Sequence, residues 1–203
     1  MGEIAIRGAE VPFDVRLGGA GRWGDEELFE LCSRNPDLRI ERTAEGNVVV
    51  MTPAGWESSH RNLEIALALG AWAKRDGTGV ASDSSGGFLL PNGAMRSPDA
   101  AWVLRSRLAE VPPEARRRFL PLCPDFVVEL RSPSDSLAEL QTKMDEYRAN
   151  GARLGWLIDP EEQRIYVYRP DRPVEVLDHP TEISGDPELP GFILDLSSIW
   201  ETV

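Results

Sequence analysis

An α/β sandwich on a mixed sheet is the architecture expected of this chain, on three observations. The apolar pattern switches between helical and strand periods in the order helix, hairpin, long helix, several strands, helix, three strands. The run Phe126-Val127-Val128-Glu129-Leu130 is almost continuously apolar, as a strand covered on both faces must be. A helical stretch then separates it from a second apolar run, Leu154 to Ile158, which sets up a right-handed crossover between parallel strands. At 203 residues the chain fits one domain with a full core. Residues 1–22 are Gly-rich and irregular and read as an arm, leaving residues 23–203 as the domain.

Taken in order, Asp25 is expected to cap a helix running to about Asn35, closed by Pro36. Leu38 to Thr43 and Asn47 to Met51 flank Glu45-Gly46-Asn47, a hairpin signal. Glu57 to Lys74 is the longest helix; Leu63, Leu67 and Gly70 with Ile65, Leu69 and Trp72 make it apolar over more than half its surface. Gly79 to Ser82 and Gly87 to Leu90 are strands, and Met95 to Leu104 is a strand or strand-like segment that carries Asp99. Residues 105–122 form a long charged loop with a short helix from Pro113 to Phe119. After the strand from 125 to 131, Ser134 or Ser136 caps a helix ended by Gly151, with Leu137, Leu140, Met144 and Tyr147 on its core face. Strands follow at Leu154 to Ile158, Gln163 to Arg169 and Val174 to Leu177, then an extended Glu188 to Leu194 and a terminal turn or helix.

Composition narrows the function. The formal net charge of -12 disfavours a general grip on phosphate backbones, although a metal and a local basic strip can reverse the field at one site. The basic run Arg105, Arg107, Arg116, Arg117 and Arg118 reads as a solvated face. Two separated Cys and two His suggest neither a zinc site nor a disulfide framework. No apolar run is long enough to span a bilayer and no secretory signal is visible, so a soluble cytoplasmic protein is expected, away from membranes.

Alternation along the 125–131 strand puts Asp125, Val127, Glu129 and Arg131 on one face. A second acid, Asp99, stands in a similar setting after Pro98. Two carboxylates on neighbouring strands repel each other unless a positive charge lies between them. Mg²⁺ or Mn²⁺ suits an oxygen-only donor set, with Asp99, Glu129 and a backbone carbonyl near Leu130 as ligands. Such a metal polarises a phosphoryl oxygen and acidifies a water, which phosphodiester hydrolysis needs along with a cation for the developing charge. Lys143 or Arg131 fills that last role; Arg stays protonated, whereas Lys can act either way. The plainer readings are a turn acid for Asp99, a buried ion pair of Glu129 with Arg131 or Lys143, and a solvated helix face for Lys143. Asp125 either joins the site or caps the strand start. His60 and Glu64 form a surface pair, or Glu64 leans into the acidic site.

At these residues the chain resembles a known group. Ser97-Pro98-Asp99, Pro124-Asp125-Phe126-Val127-Val128-Glu129 with Ser132-Pro133-Ser134, Lys143 with Tyr147, and Trp156-Leu157-Ile158-Asp159-Pro160 are similar to the Uma-two family. That family lies within the restriction-endonuclease-like PD-(D/E)xK superfamily, and Pro53 and His60 fit it too. The resemblance covers roughly residues 25 to 198 and implies a restriction-endonuclease-like mixed β-sheet flanked by helices. By resemblance Asp99 and Glu129 are the metal-binding acids. Arg131 stands where the superfamily motif usually has Lys, and Lys143 on the following helix matches the family's displaced Lys. Gln141 and Tyr147 line the site on that helix, and Glu64 is carried over loosely.

The function implied is Mg²⁺-dependent endonuclease action on DNA through a metal-activated water. The acidic charge and Arg131 keep open a catalytically inactive nuclease-fold module that binds DNA or a protein. A metal-free hydrolase using the carboxylate pair as acid and base is a third reading. A homodimer is expected from the apolar Gly-rich arm and from the frequency of two-fold oligomers.

Overall fold

The structure, a computed structural model, describes residues 4–6, 23–51 and 53–201. Most of the N-terminal arm therefore lies outside the described residues. Its segment Ile4–Ile6 forms β1. Helix α1 (Asp25–Arg34) follows, then the hairpin strands β2 (Arg39–Arg42) and β3 (Val48–Met51) and the long helix α2 (Trp56–Asp76). Strands β4 (Gly79–Asp83), β5 (Phe88–Leu89), β6 (Met95–Arg96) and β7 (Ala100–Leu104) lead to a short helix α3 (Arg105–Glu110) and a 3-10 turn at Ala115–Arg117. Next come β8 (Phe126–Leu130), α4 (Leu137–Ala149), β9 (Leu154–Asp159) and β10 (Arg164–Tyr168). The chain closes with β11 (Glu175–Asp178), β12 (Glu182–Ser184), β13 (Ile193–Asp195) and α5 (Ser197–Trp200).

A six-stranded mixed sheet in the order β11-β10-β9-β8-β7-β4 is the frame. Strands β8 and β9 pair in parallel through the α4 crossover, and the other neighbours are antiparallel. Strand alternation sends Phe126, Val128 and Leu130 to one face, where they pack with Trp156, Ile158 and Phe192 under Ile65, Leu69 and Trp72 of α2. Aromatic contacts dominate there: Phe126 meets Trp156 edge-on at 4.8 Å, and Trp156 stacks on Phe192 at 5.5 Å. Val127 and Ala101 take the opposite face, under Met144 and Tyr147 of α4. A second sheet, β1-β3-β2-β6-β5, packs one side on Leu28 and Leu31 of α1. Strands β12 and β13 form a separate pair. Among the described residues no helix is long and apolar enough to cross a membrane.

Several local expectations are corrected. Asp25 is the first helical residue and Gly24 is the cap; the Glu27 carboxylate accepts the Gly24 N–H at 2.9 Å, while Asp25 pairs with Arg42 at 2.6 Å. Met95 to Leu104 is not one strand. Pro98 cannot donate to a ladder, and the segment breaks at Ser97-Pro98-Asp99, passing from the smaller sheet to the larger. The helix expected at Pro113 to Phe119 is only the 3-10 turn, and the longer helix precedes it at Arg105–Glu110. Leu63 and Leu67 face outward, because α2 buries only the side carrying Ile65, Leu69 and Trp72. The arginine run, by contrast, is solvent-facing as expected, with only Arg107 half-buried, and it is tethered to the fold: Arg107 to Asp125 at 3.0 Å, Arg105 to the Gly77 carbonyl, Arg116 to the Val111 carbonyl and Arg118 to Glu26.

Gly79 at the start of β4 has no room for a side chain. A Cβ there would stand 2.2 Å from the indole of buried Trp102. That ring is rigid and enclosed, so the backbone must move instead. Gly79→Ala is expected to lower unfolding stability by about 1–3 kcal/mol in urea titration; an unchanged midpoint would show that the indole has space to shift.

Candidate active site

The site forms where the two sheets meet, and the alternation of β2 supplies half of it. Ile40 points to the α1 side of the smaller sheet and packs with Leu28 and Leu31. Arg39 and Glu41 therefore point the other way, toward the larger sheet and α4. The break at Pro98 leaves Asp99 one position before Ala100, which pairs with Val128, so Asp99 and Glu129 are cross-strand neighbours on one face. Helix α4 lies over that face and brings Lys143 and Tyr147 down one turn apart.

The contacts close into one network. Lys143 Nζ lies 2.9 Å from Glu41 Oε1 and 2.8 Å from Glu129 Oε1. Tyr147 donates its hydroxyl to the same Glu129 oxygen at 2.9 Å. Asp99 Oδ1 faces Arg39 at 3.0 Å and accepts from Asn62 Nδ2 of α2 at 3.3 Å, while Asp99 Oδ2 accepts the Leu130 N–H at 2.8 Å. Arg39 also donates to the Ser97 carbonyl. Glu41 receives the Ser97 N–H at 2.9 Å and pairs with Arg96 at 3.1 Å, and Arg96 reaches Glu146 of α4 at 2.6 Å. Four carboxylates (Glu41, Asp99, Glu129, Glu146) thus meet three cations (Arg39, Arg96, Lys143), an excess of one negative charge when all are ionised.

That imbalance divides the two buried glutamates. Burial alone would raise the Glu41 carboxyl, but Lys143, Arg96 and the Ser97 N–H outweigh it and hold the group at about 2. Glu129 is pushed up to about 7, by burial first and then by Asp99 and Glu41, against the pull of Lys143. Lys143 is also shifted upward: burial opposes its charge, but the two glutamates more than compensate. It is an ammonium in this arrangement, paired with both glutamates. Burial keeps the Tyr147 phenol protonated, so it remains a donor.

The donor set suits a hard divalent cation. Every candidate ligand is oxygen: the carboxylates of Asp99 and Glu129, the backbone carbonyl near Leu130 singled out from sequence, and the side-chain carbonyl of Asn62. Asn62 Oδ1 is buried without a hydrogen-bond partner, an unused acceptor beside Asp99. Among the described residues no three His, Cys, Asp or Glu side chains converge as a cage. Two carboxylates supplemented by water match the way Mg²⁺ is usually held.

Of the residues singled out from sequence, Asp99, Glu129, Lys143 and Tyr147 come together, and the Glu129–Lys143 ion pair, the plainer reading of Glu129, is present. Leu130 enters through its N–H on Asp99. Asp125 does not join them; its carboxylate accepts the Leu104 N–H at 2.9 Å and pairs with Arg107. Arg131 turns to Asp159 at 2.8 Å and Glu161 at 3.4 Å, since the strand ends at Leu130 and alternation no longer directs it. Glu64 sits about 200° around α2 from Asn62, the residue that does reach Asp99. Gln141 is displaced by the same angle from Lys143 on α4. Glu41, Arg39, Arg96, Asn62 and Glu146 are additions that sequence reading missed. One signal for Glu41 was available: its register partner Val49 belongs to the run Val48-Val49-Val50, which is apolar toward both faces and so implies cover on the Glu41 side.

Comparisons with known proteins agree with this architecture. The model of the Uma2 family, described as "Putative restriction endonuclease", matches residues 25–197. Among solved structures the chain is similar to one from Anabaena variabilis ATCC 29413, titled "a putative nuclease belonging to DUF820". The two share 23% identity over 79% of this chain and 89% of that one, with a TM-score of 0.69, which shows a common fold. No curated protein matches the chain.

The depressed Glu41 carboxyl has a pH signature. Its value falls from 4.5 unfolded to about 2 folded, so its stabilisation is fully present above 4.5 and is lost as pH falls through about 2. Glu41→Gln is expected to cost about 3 kcal/mol at neutral pH. The gap from wild type should close as the solution is acidified from 4.5 toward 2, read from urea midpoints at each pH. A gap independent of pH would mean that Glu41 acts by packing alone.

Proposed function

The chain belongs to the Uma2 family, and from that membership we propose that it is a Mg²⁺- or Mn²⁺-dependent endonuclease that hydrolyses DNA phosphodiester bonds. The observation carrying this reading is the placement of Asp99, immediately before β7, beside Glu129 of β8 with the Lys143 ammonium on the same face. Asp99 and Glu129 would hold the cation, with Asn62 Oδ1 as a further oxygen. Bound there, the cation supplies Lewis-acid polarisation of the phosphoryl oxygen and acidifies a water. The chain's own groups do the rest. Lys143 offers positive charge to the phosphoryl oxygens as charge develops on them. Tyr147 fixes the Glu129 carboxylate by donating to Oε1. Arg96 and Glu146 hold Glu41, which anchors Lys143 from the other sheet. In the hydrolysis, water oxygen bonds to phosphorus and gives up a proton, one ester P–O bond breaks, and the leaving alkoxide takes up a proton from solvent.

One observation favours a second reading. Arg39 already neutralises Asp99 at 3.0 Å, as befits a catalytically inactive nuclease-fold module that binds DNA or a protein. Plasmid nicking with Mg²⁺ and Mn²⁺ separates the two. Wild type is expected to nick, and Glu129→Ala and Lys143→Ala, prepared identically, to lose at least ~100-fold in rate. Equal behaviour of all three preparations would sink the nuclease proposal and select the binding module.

Calorimetry gives an independent check. A metal takes the ionised carboxylate, and Glu129 holds its proton up to about pH 7, so binding below that value should release a proton and tighten as pH rises. Mn²⁺ titrations in buffers of different ionisation enthalpy read this directly. Glu129→Gln should abolish the released proton; identical proton release in wild type and variant would remove Glu129 from the ligand set.

A further inference from the structure

Six large hydrophobic residues stand exposed among the described residues, and three of them lie on α2. Trp56, Leu63 and Leu67 are 75%, 54% and 57% exposed. With His60, Gly70 and Lys74 they form one stripe along the helix, opposite the buried face of Ile65, Leu69 and Trp72. The stripe is ordered at its start: the Trp56 and His60 rings stack with their planes 6° apart and centroids 6.4 Å apart. Gly70 is the second sign that something covers it. A mid-helical glycine costs about 0.5–1 kcal/mol relative to alanine. Nothing in the fold calls for it, because a Cβ at Gly70 would meet no atom within 4 Å. A glycine kept on an outward face suits the close approach of another helix.

Charge and register identify that helix. Glu57 flanks the N-terminal end of the stripe, and Lys74 and Arg75 close its C-terminal end. Laid antiparallel on itself with the two-fold axis level with residue 65, the stripe is self-complementary. Leu63 meets the partner subunit's Leu67, His60 meets the partner subunit's Gly70, and the Trp56 ring meets the partner subunit's Lys74, a cation–π pairing. The acidic end of each helix lies against the basic end of the other. Every contact occurs twice, as an isologous interface requires. We propose that the outer face of α2 binds a second copy of this chain, giving a two-fold dimer through antiparallel α2 helices. The inference is independent of the chemistry proposed above.

Sedimentation equilibrium of the full chain over a range of concentrations tests it. Wild type is expected to associate reversibly to a dimer. Leu63→Glu combined with Leu67→Glu should weaken it at least about tenfold. Gly70→Leu is the discriminating variant: it raises helix propensity and adds apolar surface, so non-specific association would tighten, whereas close helix packing is blocked and the dimer weakens. Open space around Gly70 leaves the monomer fold intact, which far-UV circular dichroism confirms. A wild type that stays monomeric throughout, as it would if another segment or protein covers the stripe, overturns the proposal. So does a dimer that Gly70→Leu leaves unchanged or tightens.

Discussion

The buried ammonium of Lys143, shared by Glu41 from one sheet and Glu129 from the other, is the interaction on which the rest of the structure depends. Taking three charges out of water is unfavourable unless each is paired and its remaining hydrogen-bonding capacity is met. Arg96 and the Ser97 N–H complete Glu41, and Tyr147 completes Glu129. Removing the lysine would leave two buried carboxylates facing each other. The two sheets are thus joined by ionic contacts that hold only when strands β2 and β8 and helix α4 are all in register. Apolar packing gives each layer its stability, while the charges fix how the layers meet.

The elements built from strong periodic patterns were legible in the sequence. The β2–β3 hairpin, the long α2, the α4 crossover and the parallel β8–β9 pair all follow from alternation, helical spacing and turn residues. What escaped was long-range. Arg39 and Glu41 alternate with Ile40 as a solvent-facing strand edge would, and only the packing of one sheet on another turns that face inward. Arg131 and Asp125 share the strand's alternation with Glu129, yet partners at the strand ends, Asp159 and Arg107, draw them out of the site. Local pattern gives the face of a strand; it does not give the partners that lie beyond its last residue.

The network also accounts for the contrast between two glutamates in one cluster. Both are fully enclosed, but Glu41 has two cations and a backbone donor, whereas Glu129 shares one cation and faces two further carboxylates. The surplus negative charge is therefore relieved at Glu129, whose carboxyl keeps its proton up to about 7. Arg39 performs the matching task for Asp99, neutralising it while the Asn62 carbonyl beside it stays unpaired.

The passage of the chain at Ser97-Pro98-Asp99 from the smaller sheet to the larger bears on modularity. Each half of the cluster is encoded on a different layer, and Asp99 sits on the strand segment that stitches them. Neither sheet is therefore a portable cassette. A chimera that grafts residues 100–201 onto another scaffold would carry the Glu129–Lys143 pair but leave Glu41, Arg39, Arg96 and Asp99 behind. Recombination within such a fold can exchange edge strands that carry none of the cluster, such as β11, while the seam with the α2 and α4 faces that meet it must be inherited as a block.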